Sequence, residues 1–137
     1  MSQTVRAARL HKHGEPLQIE TVELPEPGED EVRVELEFAG INPIDRYLAE
    51  GRVAPDGPLP RTLGGEGAGH IDGRAVMVSG EGLGTTRDGT WAQAAVVPRG
   101  AVHDLPDGVQ TRDAAPMGVV GFTAYYTVCQ LGRVGAE

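Results

Sequence analysis

An amide, a carboxylate and a phenol stand close together in the stretch Gly40-Ile41-Asn42-Pro43-Ile44-Asp45-Arg46-Tyr47: they are Asn42, Asp45 and Tyr47. Groups of these types do two kinds of work. Asn and Asp are favoured at helix starts, and a tyrosine can simply cover a core. The other use is chemical. An amide can fix a carboxamide, and a phenol can donate to negative charge that develops on an enolate oxygen. On residue types alone, capping and packing are the more ordinary uses. A further hydroxyl, Thr123, lies in Gly121-Phe122-Thr123-Ala124. In a helix such a hydroxyl commonly bonds its own backbone.

Metal chemistry asks for more than the chain offers. Catalytic zinc takes three protein ligands from Cys, His or a carboxylate, converging on an open site. The single cysteine, Cys129, excludes an intrachain disulfide and any multi-cysteine zinc site. It sits in an apolar stretch and is expected to be a buried small hydrophobe. His11 and His13 share one face of an expected strand end and read as solvated surface groups. The glycine clusters at 64–69 and 80–84 fit neither G-x-G-x-x-G nor the P-loop pattern. They are expected to serve tight turns and close backbone approach. No metal site is expected.

The elements that would position these groups are mostly strands. Val32, Val34, Leu36 and Phe38 alternate with Glu31, Arg33, Glu35 and Glu37, a strict period of two that predicts a strand over 31–38. Val5–Leu10 and Leu17–Leu24 read as earlier strands, the second with a bulge before Val22 where its phase shifts. Pro43 sits well at the first turn of a helix running to about Glu50. Arg74–Ser79, Trp91–Val97 and Ala101–Leu105 read as further strands, separated by Gly- and Pro-rich loops. From Thr111 to Leu131 the pattern turns helical, with Ala114, Met117, Val120, Ala124 and Val128 near one face. Short strands closed by one longer helix predict a mainly β fold, a partly open β-barrel in a single domain over 1–137.

Composition narrows the function classes. The 137 residues carry 39% hydrophobic and 4% aromatic side chains, so the core must be aliphatic. A formal charge of −8 repels phosphate backbones, which argues against nucleic acid as a partner. Lys12 is the sole lysine and the arginines are scattered, so there is no basic run to hold an anionic lipid surface. No apolar stretch approaches the ~20 residues that span a bilayer, and no signal-peptide pattern opens the chain. A cytoplasmic protein is the simplest expectation.

The order of these parts resembles the GroES-like catalytic domain of the medium-chain dehydrogenase/reductase superfamily, in its zinc-free quinone oxidoreductase and acrylyl-CoA reductase-like branch. The resemblance runs over nearly the whole chain. It is carried by Glu15-Pro16-Leu17, Pro25-Glu26-Pro27-Gly28, Gly40-Ile41-Asn42-Pro43-Ile44-Asp45 and Gly64-Gly65-Glu66-Gly67-Ala68-Gly69. Trp91-Ala92-Gln93-Ala94, Leu105-Pro106-Asp107-Gly108-Val109 and Gly121-Phe122-Thr123-Ala124-Tyr125 complete it. Two features depart from the usual pattern. The link after the glycine cluster is shortened to His70-Ile71-Asp72-Gly73, and Val53 and Ala54 stand where related enoyl reductases carry a tyrosine. The loop Ser79–Gly84 looks like the acrylyl-CoA reductases, whereas Tyr47 looks like the quinone reductases.

The resemblance implies NADPH-dependent reduction of a quinone or an α,β-unsaturated carbonyl, without zinc. Zinc-dependent relatives supply a cysteine and a histidine where this chain has Asn42 and Gly65. Asn42, Asp45 and Thr123 would face or orient the cofactor, and Tyr47 would be catalytic. The dinucleotide would lie mainly on a Rossmann domain that this chain does not contain, and the stretch Leu131–Glu137 looks like the approach to its first strand. The partners implied are the small-molecule substrate and that missing domain, present in a longer chain or as a separate one. The 137-residue chain is then expected to be inactive alone, and its helix from Thr111 to expose an apolar face that favours a homo-oligomer. The alternative is a stand-alone, non-catalytic GroES-like binding or assembly module.

Overall fold

A computed structural model of the chain describes residues 3–135. Strand β1 (Gln3–Leu10) pairs antiparallel with β2 (Gln18–Leu24), in unbroken register from Gln3 opposite Leu24 to Arg9 opposite Gln18. The bulge expected in β2 is therefore absent. Glu20, Val22 and Leu24 share the inward face, while Ile19 points outward and is 62% exposed. The apparent phase shift came from Ile19, an apolar residue on the solvent side. Glu20 tolerates its inward position because its carboxylate meets His11 Nε2 at 3.0 Å.

The irregularity lies instead in β3 (Glu31–Ala39), whose pairing with β5 (Glu66–Ile71) slips between Leu36 and Phe38. Val34 is fully buried as its alternation demands, but the slip turns Phe38 toward solvent at 37% exposure. Strand β5 corrects the turn half of the expectation for 64–69 and agrees with the close-approach half: Glu66–Gly69 is buried sheet, and Gly69 lies against main-chain atoms of β3. Among the described residues the larger sheet runs β7 (Ala94–Pro98), β3, β5, β6 (Arg74–Ser79) and β8 (Val102–Asp104). The smaller one runs β2, β1 and β4 (Arg61–Thr62). The shortened link Asp72-Gly73 is a two-residue hairpin turn, with φ of 49° and 81°. Asp-Gly is the pair that such left-handed turns favour.

The sheets curl into a half-barrel because their edges are stitched. The Ala8 N–H donates to Trp91 O at 2.8 Å and Gln93 N–H to Arg6 O at 3.0 Å. The core is aliphatic, as the composition required: Val34, Val76, Val78, Leu83, Val97 and Ala101 are buried together against the larger sheet, and Val5, Leu24 and Ala94 join the two sheets. Each larger aliphatic side chain contributes about 1.5–3 kcal/mol on burial.

Helix α1 (Pro43–Ala49) forms as expected, with Asn42 at its N-cap and Pro43 in its first turn. The long helix does not form in one piece. Helix α2 (Thr111–Ala114) ends where Pro116, at φ −89° and ψ 6°, leaves the helical path. Proline lacks the N–H that would carry an α-helix through. Ala114 and Ala115 still seat against Ala68. The chain then resumes as a π-helical segment Met117–Gly121, helix α3 (Phe122–Tyr125) and a π-helical segment Tyr126–Leu131. Its first turn packs on β5 and β6. Beyond that turn the side chains face water, and Cys129 is exposed rather than buried. Nothing among the described residues packs over that part of the helix, so apolar composition there does not produce burial.

Candidate active site

The ends of β3 and β5 bring α1 and the resumed helix to face each other. Gly40 N–H donates to Glu66 O at 3.1 Å, extending the β3–β5 pairing by one residue before the chain turns into α1. Pro43, Ile44 and Asn42 form one wall of a cleft of about 400 Å³; Val119, Val120, Thr123 and Ala124 form the other. Its lining is mainly apolar, and its polar side chains are those of Asn42 and Thr123.

The structure thus unites two of the four residues singled out from the sequence. Asn42 is buried, and its Nδ2 donates to Glu66 Oε1 at 2.6 Å. Thr123 lies across the cleft, and its hydroxyl makes no hydrogen bond among the described residues. The backbone-bonding role expected of a helical threonine falls instead to Thr127, whose hydroxyl donates to Thr123 O at 2.8 Å. Asp45 stands behind the cleft. Its Oδ2 accepts the Asn42 N–H at 2.7 Å, so it orients the N-cap. Tyr47 is not in the lining. It sits further along α1, 38% exposed, with the Arg52 guanidinium 4.6 Å from its ring centroid.

Glu66 is the residue that sequence reasoning weighed only as a lone carboxylate, insufficient for a metal site, and gave no other role. It has no exposed surface. Besides Asn42 it accepts the Val119 N–H on Oε2 at 2.6 Å. Its room comes from Gly40, where a Cβ would lie 2.6 Å from the Glu66 Cδ. A glutamate embedded in a glycine-rich, buried strand was the available signal. Such a residue has to find donors locally.

Asp45 and Glu66 place two carboxylates on Asn42, one accepting its backbone N–H and the other its side-chain amide. Burial raises the Asp45 pKa above its ordinary 3.8, the Asn42 N–H opposes that rise, and the negative charge of Glu66 adds to it. The folded state therefore binds the Asp45 proton more readily than the unfolded chain. This contribution favours folding below 3.8 and is lost as pH rises through the higher folded value. Asp45→Asn keeps an acceptor for the Asn42 N–H and removes the charge. Its melting temperature should exceed that of the parent by a few degrees at neutral pH. The gap should close as pH falls toward 4, read by thermal scans across that range. A gap that stayed constant with pH would show that Asp45 carries no burial penalty.

A curled β half-barrel with a helix-flanked cleft at its open end defines a GroES-like domain. Residues 28–80 match the alcohol dehydrogenase GroES-like domain family. The chain is 36% identical to a quinone oxidoreductase of Salmonella typhimurium, over 85% of this chain and 38% of that protein. It is 34% identical to a zinc-type alcohol dehydrogenase-like protein of Schizosaccharomyces pombe, over 98% of this chain and 45% of that one. The crystal structure of a Pseudomonas syringae quinone oxidoreductase superposes with a TM-score of 0.84 at 26% identity, covering 97% of this chain and 43% of the other. The chain is similar to oxidoreductases of the medium-chain dehydrogenase/reductase superfamily and spans less than half the length of the relatives it matches.

Proposed function

We propose that this chain, as one domain over its whole length, is the substrate-facing part of a zinc-independent NADPH-dependent oxidoreductase that reduces a quinone or an α,β-unsaturated carbonyl. The observation that carries this is the cleft, whose apolar walls hold one amide and one unengaged hydroxyl. A flat heteroaromatic ring with a carboxamide fits such walls, and the quinone oxidoreductase relatives support the substrate class. NADPH supplies the hydride when bound, and most of its contacts would lie on a Rossmann domain.

What this chain contributes is placement and charge stabilisation. Asn42 fixes the reactive ring from one wall and Thr123 approaches it from the other. Asp45 holds the Asn42 backbone. Tyr47, at the outer end of α1, donates to the oxyanion of a substrate that extends past the cleft. Pro43, Ile44, Val119 and Val120 keep water from the reacting face. The zinc-independent reading rests on the resemblance, which puts Asn42 and Gly65 where zinc-dependent relatives supply a cysteine and a histidine. A cytoplasmic location agrees with helices too short or too polar to cross a membrane among the described residues.

The test joins this chain to the nucleotide-binding half of the Salmonella quinone oxidoreductase. The 137-residue chain alone should oxidise no NADPH above background with a benzoquinone or a conjugated enone. The chimera should turn over, and Asn42→Ala should lower its kcat/KM by about tenfold to a hundredfold, the worth of one or two lost hydrogen bonds. A folded chimera that binds NADPH and reduces neither acceptor would overturn the enzymatic role. The non-catalytic module would then be the better account.

A further inference from the structure

We infer that Glu66 is a positioning residue: its buried carboxylate ties the two walls of the cleft together and sets the aim of the helix that carries Thr123. Each carboxylate oxygen serves one wall. Oε1 accepts Asn42 Nδ2 and Oε2 accepts the Val119 N–H, both at 2.6 Å. These are short, charge-assisted bonds.

The helix needs such a tie. After Pro116 a new helical path starts at Met117, and the first N–H groups of a helix have no carbonyl of their own. The Glu66 carboxylate meets one of those orphan donors and faces the positive end of the helix dipole. The same first turn rests on the barrel through Gly118, where a Cβ would fall 2.5 Å from the Ser79 Cβ. From Val120 onward the helix is largely exposed, with Val120 at 56% and Phe122 at 62%. A helix held mainly at its first turn takes its direction from the bonds made there. Thr123 lies one turn beyond Val119, so a swing at Val119 changes its distance from Asn42.

Glu66→Gln separates this role from bulk stability. The amide has nearly the size of the carboxylate but offers a single acceptor oxygen, so it cannot serve both donors as the carboxylate does. The readouts on the 137-residue chain are hydrogen exchange by NMR and line broadening of α1 amides from a nitroxide on Cys129, its single thiol. In the parent, Val119 N–H should exchange at least about tenfold slower than an unbonded amide, the protection expected of a charge-assisted bond. In Glu66→Gln that protection should vanish at Val119 or at the Asn42 side-chain NH₂, and the broadening over residues 43–49 should change. Amides of Val76 and Val78 should keep their protection.

Three results would overturn the assignment: an unprotected Val119 in the parent, unchanged broadening in the variant, or a uniform fall across all amides. The last would mark a merely structural residue. Should the variant fail to fold, an unprotected Val119 in the parent still overturns the assignment. The consequence for hydride transfer rests on the proposed roles of Asn42 and Thr123, but neither readout uses a cofactor. A protected Val119 beside an inactive chimera would remove those roles and leave the tie standing.

Discussion

Gly69→Ala should cost about 3 kcal/mol or more and lower the urea midpoint of the chain clearly. Gly69 is buried in β5, opposite Leu36 of β3. A Cβ there would lie 2.8 Å from the Glu35 carbonyl carbon and 2.9 Å from the Leu36 Cα, with the Glu35 oxygen closer still. All three are main-chain atoms of the neighbouring strand, so no side chain can rotate away. Relief requires β3 and β5 to part where their register already slips. β3 leads into Gly40 and β5 begins at Glu66, so the cleft would be lost with the pairing. Stability is typically of order 0.1 kcal/mol per residue, so the loss is a substantial fraction of the whole. Urea unfolding followed by circular dichroism measures it. A midpoint equal to that of the parent would mean that β5 does not approach β3 this closely.

The same close approach explains what the sequence could and could not convey. Residues 31–36 announced β3 because charges and aliphatics alternate there, and the period of two admits a single geometry. Phe38 continued the written pattern but not the structural one. A bulge is set by the partner strand, and β5 was hidden in a run of glycines that carries no side-chain alternation. Helix α1 was legible through Pro43 and Asp45, which report on the backbone directly. The break at Pro116 was also written in the chain, but the apolar spacing of Ala114, Met117, Val120 and Ala124 runs across it. Helical periodicity says which face is apolar and not whether anything covers it, which is why Cys129 was expected inside.

Of the candidate site, Asn42 and Thr123 were singled out through the resemblance, since their types alone pointed to capping and backbone bonding; the cleft brings them to opposite walls. Tyr47 was legible only as a type; its place beside Arg52 depends on how α1 ends. Glu66 was not legible as a tie, because its two partners lie 24 and 53 residues away in sequence. Contacts at that range follow from topology, and local pattern does not contain them.

The exposed helix leads to the other large effect. The 137-residue chain should self-associate, with a sedimentation coefficient that rises with concentration, and Phe122→Glu with Tyr126→Glu should weaken that association by more than about a hundredfold. Phe122 and Tyr126 stack at 5.8 Å between ring centroids and stay 62% and 46% exposed. Tyr125, Val128 and Leu131 extend the apolar surface at 57%, 50% and 65% exposure. A contiguous patch of this kind is unusual on a monomer's surface and marks a place of contact. In the proposed enzyme the occupant is the nucleotide-binding domain, and without it a second copy of the chain is the nearest apolar surface. Neither aromatic ring belongs to a buried core cluster, so the double variant should keep its circular dichroism spectrum and core amide protection. Adding the Salmonella nucleotide-binding half in trans should dissociate the parent's oligomers, because both would compete for one helix face. If the parent instead sediments as a monomer at every concentration, the patch is satisfied by water, and the case for a covering domain loses its physical support.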